Sequence, residues 1–175
     1  MSLVVFLRAA NVGGHQVFRP SELTKKLAAL DPVNIGAAGT FVIRKNVSEK
    51  ALKVLFRKNL PFDPELNICS EKELLAFMKR EPFSDVPAGR ELVPCVGILE
   101  NTPSKYCRLP IIEKPGADWQ VKINGVFGRF AVILRRRTGK AVLDPGAIIE
   151  KFFGVKATVR NWSTLQKISS VLQQV

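Results

Sequence analysis

The order of short β-rich runs and helix-patterned stretches in the first 80 residues leaves few folds open to this chain. Leu3-Val-Val-Phe-Leu-Arg8 is a near-continuous apolar run rich in β-branched residues, followed at once by Asn11-Val-Gly-Gly14. That pattern describes a buried strand running into a glycine turn. Pro20 fits the first turn of a helix, and Leu23, Leu27 and Leu30 recur at helical spacing until Asp31-Pro32, so a helix is expected over 20–30. Gly36 and Gly39 bracket a tight turn between two short strands, 33–37 and 40–45, the second carried by Thr40-Phe-Val-Ile43. Ser48 can cap a helix with Leu52, Leu55 and Phe56 on one face; Pro61 ends it, and Leu66 to Cys69 is a brief strand. The resulting order is β-α-β-β-α-β, the ferredoxin-like arrangement.

Ser70-Glu-Lys-Glu73 is a capping box, in which the serine side chain and the glutamate three residues on satisfy opposite orphan amides at a helix start. Leu74, Leu75, Phe77 and Met78 supply the apolar face of that helix. Glu81 to Gly89, with Pro82 and Pro87, has the composition of a connector. The expected organisation is an α+β chain: a ferredoxin-like half over 1–80, a connector over 81–90, and a smaller α+β half over 91–175. The second half opens with a strand over 92–99. Trp119 to Ile123, Asn124-Gly125 and Val126 to Arg135 form a hairpin pattern, because Asn-Gly suits the positive φ angles of a type I′ turn. Asp144 can cap a helix that begins at Pro145, buries Ile148, Ile149, Phe152 and Phe153, and stops at Gly154. A strand over 155–159 follows, then a terminal helix capped by Asn161 with Trp162, Leu165, Ile168 and Leu172 on one side. The halves can be read as echoing each other in element order, without a clear sequence repeat.

At 175 residues the chain can bury a substantial core without a disulfide or metal staple. No apolar run reaches the roughly 18 residues of a membrane helix, and the opening run has neither a basic residue before it nor a small-residue cleavage site. A cytoplasmic protein with no membrane partner is expected. Cys69, Cys95 and Cys107 are odd in number and widely separated, which predicts reduced, buried thiols and neither a disulfide framework nor a zinc knuckle. A single histidine removes any two-histidine metal site, so no metal and no cofactor are expected. The charge is the outlier: 27 Lys and Arg against 15 Asp and Glu, a formal +12. Such a field attracts polyanions through counterion release, with nucleic acid the first partner to consider, although excess Lys and Arg also serves simply to solvate a surface.

Arg135-Arg136-Arg137, then Thr138-Gly139-Lys140, concentrates four positive charges at a strand end and turn, an arrangement suited to phosphate oxygens. Alternation along a strand would instead spread them over the hairpin. Arg8 and Arg160 are secondary candidates for the same contact. Gly128-Arg129-Phe130-Ala131-Val132 approaches the aromatic strand motif of RNA-recognition domains, but only Phe130 falls where that motif needs it, so core packing of Phe127 and Phe130 is expected. Gly13-Gly14 could offer backbone amides to a phosphate, yet lacks phosphate-loop spacing and fits a structural turn. His15, beside Asn11, leaves one imidazole for proton transfer. Arg160-Asn161-Trp162 either joins a guanidinium, an amide and an indole in one contact, or caps and packs the last helix.

Three stretches resemble the bacterial domain-of-unknown-function family 1697: the opening strand with Arg8-Ala-Ala-Asn-Val-Gly-Gly14, the hairpin around Gly36 to Ile43, and Ala157-Thr-Val-Arg-Asn-Trp162 leading into the final helix. Order and spacing match over nearly the whole chain. The resemblance implies an α+β fold with a ferredoxin-like N-terminal portion and a smaller C-terminal one, and no established activity. Members usually place Gly-Ile before Asn-Val-Gly-Gly, where this chain has Ala9-Ala10, and a Ser-Gly-Asn segment at the hairpin, where it has Ala37 to Thr40. A site built on those polar groups in relatives is altered here. Two functions of different classes follow. One is a non-enzymatic module binding nucleic acid through Arg135, Arg136, Arg137 and Lys140, with Arg8 and Arg160 in support. The other is an enzyme or small-anion binder using Asn11, Gly13, Gly14 and His15 with Arg160, Asn161 and Trp162. A protein-interaction module is a third.

Overall fold

A computed structural model describes residues 1–10, 14, 16–87, 89, 91–113, 116, 118–137 and 143–174. They form a mixed α+β structure of two antiparallel sheets with helices, divided into two units: Met1–Ala76 with Thr164–Val175, and Phe77–Ser163. Along the chain the terminal helix follows the second unit, yet from Thr164 onward it belongs with the first.

In the first unit, strand β1 (Leu3–Leu7) is buried at all five positions. A strand so enclosed needs apolar residues on both faces and partners on both edges. It has them: β3 (Thr40–Ile43) pairs antiparallel on one side and β4 (Leu66–Ser70) on the other. The three-residue β2 (Pro32–Asn34) lies beyond β3, giving the order β2-β3-β1-β4. Its helices are α1 (Pro20–Lys26) and α2 (Glu49–Asn59), and α3 (Glu71–Met78) follows β4. Leu3, Val5 and Leu7 share one core with Phe41, Ile43, Ile68, Leu23, Leu52 and Phe56. The Phe41 and Phe56 rings meet edge to face, 5.7 Å apart at 74°.

The expected helix over 20–30 is shorter and broken. It leaves α geometry at Leu27 and closes as a 3₁₀ turn, Ala28–Leu30, before Asp31 turns to φ 48°. Pro32 disfavours α geometry at the residue before it, so the chain must leave the helix there to enter β2. The other signals act locally. Ser48 accepts the Ala51 amide at 3.2 Å. In the capping box, Glu73 accepts the Ser70 amide at 2.8 Å while Ser70 Oγ accepts the Glu73 amide at 3.2 Å.

The second unit contains β5 (Leu92–Leu99), β6 (Ile111–Glu113), β7 (Val121–Phe127), β8 (Phe130–Arg136), α4 (Pro145–Phe153) and β9 (Ala157–Asn161), and α5 (Trp162–Gln173) starts at its end. Its sheet runs β6-β7-β8-β5-β9. Here β5 sits between β8 and β9 as β1 sits between β3 and β4, and in both units a helix links the two strands that flank the centre. The echo is therefore one of topology, with β6 and irregular chain standing where the first unit has α1. Asp144 Oδ1 accepts the Gly146 amide at 2.9 Å to start α4, and Gly154 ends it at φ 67°. Val155 and Lys156 carry the chain back to the sheet, so β9 begins two residues later than expected, at Ala157.

The hairpin expectation at Asn124-Gly125 is overturned. Strand β7 runs straight through that pair, which forms a bulge, with Ile123 opposite Ile133 and Gly125 opposite Val132. The chain reverses instead at Gly128-Arg129, between paired Phe127 and Phe130, with Gly128 at φ 57°. A positive φ at the first central position is what a two-residue hairpin turn asks of glycine. At the bulge, a Cβ on Gly125 would sit 3.1 Å from the edge of the Phe127 ring, a tight contact. Among the described residues, no helix is long and apolar enough to cross a membrane.

A Cβ on Gly97 would lie 2.5 Å from Ile149 Cδ1 and 3.3 Å from both Ala131 Cβ and Ile133 Cδ1, so α4 packs against β5 only because this position has no side chain. Gly97→Val is expected to cost about 1–3 kcal/mol through overpacking. Urea unfolding reads the loss directly; an unchanged midpoint would contradict this packing.

Candidate functional site

The sharpest basic feature of the sequence lies at the end of β8. Arg135 is held between Val93 of β5 and Val121 of β7, and Arg136 stands opposite Leu92. Backbone bonds extend beyond the strand pairing: Arg136 N–H donates to the Gln120 carbonyl at 2.8 Å and Arg137 N–H to the Glu91 carbonyl at 2.9 Å. Strand alternation sends Arg135 and Arg136 to opposite faces. Arg137, just past the strand, is exposed.

Arg136 has an aromatic partner that sequence reasoning assigned only to the start of a hairpin. Its guanidinium carbon lies 4.5 Å from the centre of the Trp119 ring, a cation–π stack beside a half-buried indole. Lys122 of β7 is in register with Leu134 and so shares the face of Arg136. Among the described residues, Glu91, whose carbonyl accepts the Arg137 amide, and Asp118, next to Trp119, are acids at this end, against the cations Arg135, Arg136, Arg137 and Lys122. The clue in the sequence was an aromatic two residues before a strand, but only the β7–β8 register connects it to an arginine.

On the opposite face, Cys95 of β5 lies level with Asn161 of β9. Its thiol donates to Asn161 Oδ1 at 3.4 Å and to the Val93 carbonyl at 3.5 Å. Burial pushes this thiol above its ordinary 9.0, and the nearby Arg135 charge pulls it back partway. Asn161 is thus the last residue of β9 with its side-chain oxygen turned to a thiol, where a cap of the final helix was expected.

The remaining candidates are dispersed. Arg160 is only 9% exposed, donates to Thr158 Oγ1 at 2.9 Å and to the Val159 carbonyl at 3.0 Å, and is lowered by burial to about 10. It remains charged at neutral pH but is not presented to a surface phosphate. Arg8 forms an ion pair with Glu65 at 2.6 Å. Trp162 packs edge-on against Phe83 at 5.2 Å and Phe77 at 6.3 Å, and Phe77 stacks on buried Phe130 at 4.7 Å and 18°. Phe127 departs from the expected core role: it is 39% exposed, with Arg80 lying 4.8 Å above its ring. Gly14 is exposed at φ 78°. Asn11, Gly13, His15 and Lys140 lie outside the described residues. The three cysteines are free thiols. Among the described residues, no group of three His, Cys, Asp or Glu side chains could hold a metal ion.

The fold places the chain among α+β proteins built of two antiparallel sheets. Within that class it is similar to the conserved bacterial protein SP0830 from Streptococcus pneumoniae, with 98% of each chain covered, a TM-score of 0.56 and 15% sequence identity. At that identity the likeness is one of fold alone. No family model and no curated protein matches the chain.

The buried thiol gives a pH signature. Because the folded value of Cys95 is raised above the unfolded 9.0, its contribution to stability is fully present below 9.0 and is lost as pH rises through the folded value. Wild-type protein should therefore lose more stability than Cys95→Ala between neutral pH and a pH well above 9.0. Parallel urea titrations measure the difference, and identical slopes would show that Cys95 is not desolvated.

Proposed function

We propose that this chain is a cytoplasmic, non-enzymatic module that binds nucleic acid through its phosphate backbone, with Arg135, Arg136 and Arg137 as the main contacts. One observation carries the reading: three consecutive arginines at the end of β8, the middle one stacked on Trp119 and on the same face as Lys122. Cations supported by an aromatic ring suit phosphate oxygens, and the half-exposed indole offers a face on which a base can stack. Stacking also limits the freedom of the Arg136 side chain, so less entropy is lost when it meets an anion. The formal +12 supplies long-range attraction, while the local geometry selects where contact is made.

We read the first unit as ferredoxin-like, supported by its β-α-β-β-α-β order and its all-antiparallel sheet. Membership of the domain-of-unknown-function family 1697 rests on the segments around Asn11–Gly14 and Arg160–Trp162.

Binding to labelled single- and double-stranded oligonucleotides across a salt series tests the function. Affinity should fall steeply as salt rises, and Arg135→Gln and Arg137→Gln should each reduce the slope of log K against log salt by about 1. Trp119→Ala should weaken binding as well, by removing the ring on which the Arg136 guanidinium stacks. Absence of binding at low salt, or binding indifferent to salt, rules the function out.

A further inference from the structure

Far along the chain from the arginine cluster, the first unit has a groove of about 500 Å³ between α1, the residues leading into it, and the C-terminal end of α2. Phe18, Leu23 and Leu60 lie at its floor, all buried and part of the unit's main core. Phe18 is held by ring contacts with Phe41 at 6.3 Å and Phe62 at 6.2 Å, so the floor is fixed. The rim is of a different character: Arg19, Lys26 and Lys58, with Glu22 as the only acid among the described residues that line the groove.

We propose that this groove binds a small organic monoanion: a single carboxylate or equivalent acid carried on an apolar, preferably aromatic, body. The volume is in the range of small-molecule sites, which run from about 300 to 1,000 Å³, and an apolar floor with a few polar groups at the edge is their usual construction. Charge selects the anion and its valence. Arg19 is engaged by Glu22 at 3.2 Å, which leaves the two lysines as the lining cations with no ion pair among the described residues. The C-terminal pole of α2 supplies about half a negative charge, so the groove retains enough positive charge for one anionic group and too little for a polyphosphate.

The lysines do more than offset helix ends. In the last turn of α2, Arg57 is bound to Asp63 at 2.6 Å, whereas Lys58 has no ion pair or hydrogen bond among the described residues. Lys26 reaches only the Asn59 carbonyl, at 3.4 Å, a long contact that a carboxylate can replace with a shorter, charge-assisted one. The site would hold the apolar body of the ligand against Phe18 and Leu60 and its acid between Lys26 and Lys58.

The test follows backbone amide signals of the full chain by NMR during titration with 2-naphthoate and, separately, with neutral 2-naphthamide. Naphthoate should shift the amides of Leu23, Lys26, Lys58 and Leu60 saturably, and naphthamide should bind at least roughly tenfold more weakly. Lys26→Gln and Lys58→Gln, both at exposed positions, should each weaken naphthoate several-fold and leave naphthamide unchanged. Arg137→Gln should alter neither. The proposal is overturned if the groove amides do not move, if the two compounds bind equally, or if Arg137→Gln weakens naphthoate as much as Lys58→Gln does. The last result would reduce the effect to general charge attraction.

Discussion

A strand hydrogen-bonded on both edges and covered on both faces admits no charge along its middle, and each unit is built around one. In β1 every residue from Leu3 to Leu7 is buried. In β5 the enclosure is complete only from Cys95 onward, while Leu92 and Pro94 are half-covered. Pro94 can occupy a central strand because pairing with β9 begins one residue later, at Cys95, so its missing amide breaks no bond on that side. Each large apolar side chain in these strands contributes about 1.5–3 kcal/mol by leaving water. That requirement drives polar chemistry to the strand ends. The arginines of β8 stand opposite Leu92 and Val93, at the one end of β5 where cover thins.

How far the chain could be read from its residues depended on whether a signal was local. Caps and stops act through a few neighbouring atoms, so Ser48, Ser70 with Glu73, Asp144 and Gly154 mark helix ends that any reader of the sequence can find. Asn124-Gly125 misled because two glycines three residues from each other, Gly125 and Gly128, both permitted a turn, and the choice was made by long-range register. With the turn at Gly128, Phe127 and Phe130 face one another across it; with the turn at Asn124, the arginines would have lost their partners on β7. The topological echo between the units was equally illegible in detail, since strand order depends on pairing between distant segments.

The candidate sites show the same division. Runs of cations are visible at a glance, but their accessibility is not. Arg160 is enclosed beside Thr158, Arg8 is tied to Glu65, and Arg57 to Asp63. The count of 27 Lys and Arg therefore overstates how many cations are free to meet a partner. Conversely, Trp119 carried no motif and gained its role only by lying beside Arg136. Lys58, too, is one lysine among many until Arg57 is seen to have an acid and Lys58 none among the described residues.

The bulge in β7 bears on more than the position of a turn. On its N-terminal side Val121 and Ile123 face the core of the second unit, and on its C-terminal side Val126 does. One extra residue has thus exchanged odd for even numbering between the two ends of a single strand. Lys122 lies with Arg136 on the face away from that core at one end, and Phe127 lies over Phe77 at the other, only because Asn124 is counted out of the ladder. In reading-frame terms, Asn124 is a one-residue phase shift. A relative lacking it would have to turn either its basic end or its aromatic end inside out, and strand length in β7 is thereby coupled to what each end of the hairpin displays.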